Sequence, residues 1–130
     1  MYCGAVDCLV DSGTTHTILK DKSFFINFTP KVTSVTTISG PSTLVEGFGK
    51  AKFTLSNGTP VEVSEALYSP RSSRTLLSFK DIRENKFHLE TARENGIEYL
   101  HITSTQYDQK RILEELKCLS SGYYQIFKSI

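Results

Sequence analysis

The side chains best placed to do chemistry stand together in Cys8-Leu9-Val10-Asp11-Ser12-Gly13-Thr14-Thr15-His16. Two apolar residues run straight into an acid, and the acid is followed by a hydroxyl residue and a glycine. A strand ending in Asp-Ser-Gly presents a carboxylate at a tight turn, where backbone N–H groups are free to bond it. A carboxylate held in this way can take a proton from water or, once protonated, give one back. By itself Asp-Ser-Gly is a common turn tripeptide in which Asp caps its own backbone. Its place at the end of an apolar strand, instead of in a polar loop, is what favours chemistry. The tripeptide occurs once in 130 residues.

Other groupings carry less. Ser12 with His16 suggests a serine nucleophile, but the serine is on no Gly-x-Ser-x-Gly elbow. His88 and His101 complete the histidines and pair with nothing at ligand spacing. Gly47-Phe48-Gly49 is too short for a nucleotide fingerprint and opens no helix. Arg71, Arg74, Lys80 and Arg83 read as a solvated face. Cys3, Cys8 and Cys118 are an odd number at irregular spacing, which makes neither a disulfide framework nor a metal hook. All three are expected as reduced thiols of an intracellular protein, with no metal and no cofactor.

The elements that could position Asp11 are spread along the whole chain. The length suits one domain with a modest core. Fifteen basic and 14 acidic side chains leave a net charge of +1, which gives no steering toward nucleic acid or anionic lipid. No apolar run approaches ~20 residues, so no transmembrane helix is expected, and the start lacks the pattern of a signal peptide. Residues 5–10 read as a strand closed by Asp11, and 14–19 continue it with Ile18 and Leu19 facing inward. Residues 23–28 read as a short helical turn or packed loop. Val, Thr and Ile over 32–38 favour a strand, Ser39-Gly40-Pro41-Ser42 a turn, and 43–49 and 50–55 two further extended stretches. Asn57-Gly58 is a hairpin signal, and Val61-Glu62-Val63 alternates after it. Ser78 with Asp81 forms a capping pattern for a short helix over 79–85. Residues 87–91 and 97–102 form another hairpin, 106–110 a loop, 111–117 a strand or a helix, and 123–127 a last strand. The class is mainly β with one short helix.

In the same order, the motifs resemble the retropepsins, and most closely the protease of copia-type retrotransposons of the plant kind. The resemblance rests on Leu9-Val10-Asp11-Ser12-Gly13-Thr14-Thr15-His16-Thr17-Ile18-Leu19, then Ile38-Ser39-Gly40, Glu46-Gly47-Phe48-Gly49, Ala66-Leu67-Tyr68-Ser69, Leu76-Leu77-Ser78-Phe79-Lys80-Asp81-Ile82 and Ser120-Ser121-Gly122-Tyr123-Tyr124. It implies a closed β-barrel half with a flap hairpin, paired in a homodimer, and a protease over residues 1–102. Residues 103–130 would be a connector toward integrase or a strand of the dimer interface. Asp11 would be the catalytic aspartate, Ser12 the hydroxyl that reaches across the dimer axis, and Gly13 the residue that lets backbone pass close to the carboxylates. Leu76 and Leu77 would pack beneath them. Residues near Ile38–Glu46 would form the flap, with Ile38, Ser39 and Gly40 contacting substrate and Gly40 near its tip, and Thr15 and His16 would form the rim.

The implied activity is that of an aspartic endopeptidase cutting its own Gag-Pol polyprotein in a cytoplasmic virus-like particle. Its partners would be a second copy and a peptide, with neither nucleic acid nor membrane bound by this domain. The alternative is a retropepsin-fold module, silent or domesticated, that dimerises or binds peptide without hydrolysis. The chain departs from the retroviral pattern at three places. Thr14 stands where many have Ala, and offers a hydroxyl to the carboxylate that would favour its ionised form. Thr15 and Phe79 stand where retroviral enzymes often pair an Asp with an Arg. Ser78 replaces a frequent Gly, as copia-type sequences commonly do.

Overall fold

The computed structural model describes residues 8–37, 40–72, 74–120 and 123–126. Within these residues ten strands form one sheet: β1 (Cys8–Asp11), β2 (Ile18–Leu19), β3 (Thr29–Thr37), β4 (Gly40–Thr54), β5 (Pro60–Tyr68), β6 (Thr75–Ser78), β7 (His88–Glu94), β8 (Ile97–Gln106), β9 (Gln109–Ser120) and β10 (Tyr123–Ile126). A short helix, α1 (Phe79–Glu84), follows β6, and a 3-10 turn covers Lys22–Phe24. Among the described residues no helix is long and apolar enough to cross a membrane.

The strand order is β3-β4-β5-β2-β6-β1-β10-β9-β8-β7. Its two halves are antiparallel meanders built on local turns. In β4–β5, Gly58 takes φ +91°, and the Leu55 and Thr59 backbones close the turn. In β7–β8, Asn95 and Gly96 both have positive φ, the requirement of a two-residue hairpin turn. Tyr107 and Asp108 do the same between β8 and β9, so the loop expected over 106–110 is a tight turn. Residues 111–117, open between strand and helix, are strand, because register with β8 uses their backbone bonds. The two stretches expected over 43–55 are a single 15-residue strand, bent by an irregularity in its pairing with β5 between Gly49 and Ala51.

Between the meanders the sheet turns mixed. β1 runs parallel to β6, β2 runs parallel to β5, and β10 closes the other side of β1 in antiparallel register. One hydrophobic cluster joins Phe53 and Val61 from one meander, Val10, Leu77 and Ile82 from the centre, and Leu100, Ile102 and Leu116 from the other. The sheet must therefore curl around a shared core. It does not close as expected: β3 and β7 lie at opposite ends of the order and do not pair. Alternation along each strand says which side chains face inward, but not whether the outer edges meet.

One further expectation changes. Cys8 is disulfide-bonded, while Cys118 stands outside any disulfide and Cys3 lies outside the described residues. An odd count argued against a framework, yet it is compatible with one bridge and one remaining thiol. The boundary expected at 102 falls inside β8, and β9 and β10 carry the same sheet onward.

Candidate active site

β1 is buried along its whole length: β6 and β10 flank it in the sheet, and Cys8 and Val10 pack into the main core. A strand so enclosed reads as an apolar run, which is what Cys8-Leu9-Val10 is. Its parallel register with β6 sets Leu9 beside Leu76, Val10 beside Leu77 and Asp11 beside Ser78. Both apolar pairs end level, one at the carboxylate and the other at the helix cap. Leu77 lies in the main core. Leu76 is half-buried on the opposite side, against Ile18, Val45 and Leu67.

Asp11 is only 1% exposed, and the Gly13 N–H donates to its Oδ1 at 2.8 Å. The next residues stitch the turn to itself. The Thr14 hydroxyl donates to the His16 carbonyl at 2.9 Å, and the Thr15 hydroxyl and His16 Nδ1 are hydrogen-bonded at 3.0 Å. The Thr14 proton therefore goes to backbone and not to the carboxylate. A hydroxyl has one proton to give, so the expected effect of Thr14 on Asp11 lapses. Ser12 and Thr15 are exposed, and Gly13 and His16 half-buried.

A polar knot fixes the chain just beyond this turn. Asp81 Oδ2 accepts the Thr17 hydroxyl at 2.6 Å, the Ser78 hydroxyl at 2.8 Å and the Thr17 N–H at 3.2 Å. Ser78 Oγ accepts the Asp81 N–H, and Thr17 Oγ1 accepts the Ser78 N–H. The knot joins Thr17 to the start of α1, across 64 residues of sequence. The Ser78–Asp81 half was legible as a capping pattern. Thr17 was not, because no local spacing links it to Asp81.

Besides Asp11, the buried carboxylates among the described residues are Asp81 and Glu114. Glu114 accepts the Asn57 N–H and the Thr59 hydroxyl, at 3.0 Å and 2.6 Å. Both are committed to structure. No three His, Cys, Asp or Glu side chains among the described residues stand close enough to hold a metal ion.

Of the residues expected to line the site, Asp11, Ser12, Gly13, Thr14, Leu76 and Leu77 converge where β1 and β6 end, with Thr15 and His16 on the adjoining turn. Gly40, expected near a hairpin tip, lies in β4 opposite Thr37. Ile38 and Ser39 lie outside the described residues. In the sheet, β4 is separated from β1 by β5, β2 and β6.

An open-edged, mainly β domain with a buried carboxylate on its central strand is the class that these features define. Residues 8–87, more than half of the chain, match the family model described as "Pol polyprotein, beta-barrel domain". The chain belongs to that family and so represents a region of a retroviral- or retrotransposon-type Pol polyprotein. No curated protein and no solved structure matches it.

Proposed function

We propose that this chain is an aspartic endopeptidase of the copia type that cuts its own polyprotein as a homodimer. The observation that carries the reading is the setting of Asp11. Its carboxylate ends the central strand and is held by the Gly13 N–H, while the other buried carboxylates of the described chain, Asp81 and Glu114, serve structure. Carboxylate peptide hydrolysis uses a pair. One activates water, and the other, protonated, polarises the scissile carbonyl. Two such groups at ~3 Å cannot both ionise, so they share a proton. A two-fold axis through two copies supplies the pair from one motif.

In this reading exposed Ser12 faces the axis, Thr15 and His16 form the rim, and the β3–β4 hairpin with Ile38, Ser39 and Gly40 closes over the peptide. Cleavage takes place in a cytoplasmic particle. The bonding of β10 to β1 supports counting residues to 126 as part of the folded domain, not as a loose connector. A second reading, a module that dimerises or binds peptide without hydrolysis, draws support from the near-complete burial of Asp11 in the single chain.

Asp11→Asn keeps an oxygen for the Gly13 N–H and should fold normally while losing all pepstatin-sensitive cleavage of a polyprotein-junction substrate. Undiminished cutting by the variant would refute the mechanism. An unmodified protein that cuts no junction at any pH would favour the silent module.

A further inference from the structure

Ser12 also forms part of the wall of an open cleft of about 650 Å³ that leads away from Asp11 toward the β7–β8 turn. Arg93, Ile97, Glu98, Lys117 and Tyr124 are among the residues that line the rest. Its charges are unevenly used. Glu98 accepts the Tyr124 hydroxyl at 2.5 Å. Arg93 lies directly across from Glu98 in the β7–β8 register, yet makes no ion pair with it. Lys117 likewise takes no part in the Lys50–Glu62 and Lys110–Glu90 ion pairs or in the His101–Glu115 hydrogen bond. Arg93 and Lys117 are both exposed. Two unneutralised cations thus line a cleft whose single carboxylate already holds a proton donor.

We propose that this cleft receives an acidic side chain of the peptide substrate, with Arg93 and Lys117 as the specificity-determining residues. The proposal rests on the peptidase reading for the path of the peptide past Ser12. Arg93 offers a planar donor fork suited to a carboxylate, and Lys117 a movable point charge. A Gln of similar shape gains neither charge, and a Lys or Arg is repelled. Because both cations are at the surface, the discrimination is modest and weakens with salt.

The test uses immobilised Asp11→Asn protein, which holds peptide without cutting it, and a mixture of random decapeptides read by mass spectrometry. Asp and Glu should be enriched at one position roughly three- to tenfold, as expected for two solvent-exposed ion pairs. Adding Arg93→Glu and Lys117→Glu together should abolish that preference or turn it toward Lys and Arg, whereas Arg93→Lys with Lys117→Arg should keep it. No acidic enrichment, or the same enrichment in the charge-reversed variant, would overturn the proposal. The same mixture incubated with protein carrying Asp11 tests hydrolysis separately. Charge-dependent enrichment without cleavage would sink the peptidase reading and leave the acid-binding cleft standing.

Discussion

The proton of Thr14 decides what that residue can do to its neighbour. It is spent on the His16 carbonyl, so Thr14→Ala should cost about 0.5–1.5 kcal/mol, the usual net worth of such a bond. The pH dependence of cleavage should not move; a displaced pH–rate profile would put the hydroxyl back on the carboxylate. Tyr124 makes a different kind of claim. Burial, and then the hydrogen bond to Glu98, push its hydroxyl up to about 12. An unfolded tyrosine ionises near ~10, so the folded chain keeps this proton to higher pH. The resulting stability is fully present below ~10 and is lost as pH rises from there through the folded value. Phenolate absorbance should show one of the six tyrosines lagging the rest, and Tyr124→Phe should remove the lagging step. Loss of an ordinary step near ~10 in Tyr124→Phe, instead of a lagging one, would contradict the hydrogen bond to Glu98.

Elements are joined here by single buried acceptors. Glu114 on β9 is 3% exposed and receives the Asn57 N–H and the Thr59 hydroxyl from the β4–β5 turn. That contact ties the two meanders together, 55 residues apart in sequence. Glu114→Ala strands two donors in a site with little water, and each bond to a charged acceptor is worth about 1.5–3 kcal/mol. Its urea midpoint should fall well below that of Glu115→Ala, which removes only the half-exposed partner of His101 and should cost ~1 kcal/mol or less. Equal midpoints would mean that the turn does not depend on β9. Close approach matters at this scale too. A Cβ at Gly49 would collide with the Asn27 carbonyl; its absence lets the segment before β3 lie flat on β4, where the Ile26 N–H donates to the Lys50 carbonyl at 2.8 Å.

For the whole molecule, the open sheet and the single motif lead to the same expectation. Among the described residues no strand lies beyond the outer edge of β3 or of β7, and the proposed chemistry needs a second carboxylate from another copy. Specific activity should therefore rise with protein concentration and level off when sedimentation shows dimer. Full activity from a species that sediments as a monomer would exclude a shared pair of Asp11 carboxylates. In the proposed dimer, Thr15 and Phe79 would stand where the retropepsin resemblance implies an Asp–Arg pair, so that contact would not hold the copies together. Phe79 instead packs against Tyr124, with ring centroids 6.2 Å apart, inside its own chain.

What the sequence alone determined is local. The apolar run into Asp11, the Asn57-Gly58 turn, the Ser78–Asp81 cap and the strand alternation each depend on neighbours a few residues away, and each of these elements is present. Tertiary structure decided what depends on partners distant in the chain. It set Val10 against Leu77, turned 111–117 into strand, linked Thr17 to Asp81, bridged Cys8 and left the sheet open. A side chain's hydrogen-bond partner across 60 or so residues, as with Thr17 and Asp81 at a separation of 64, is set by how the sheet curls, which no spacing encodes. The proton of Thr14 is the clearest case. The residue type said that it would be donated, and only the fold said to which oxygen.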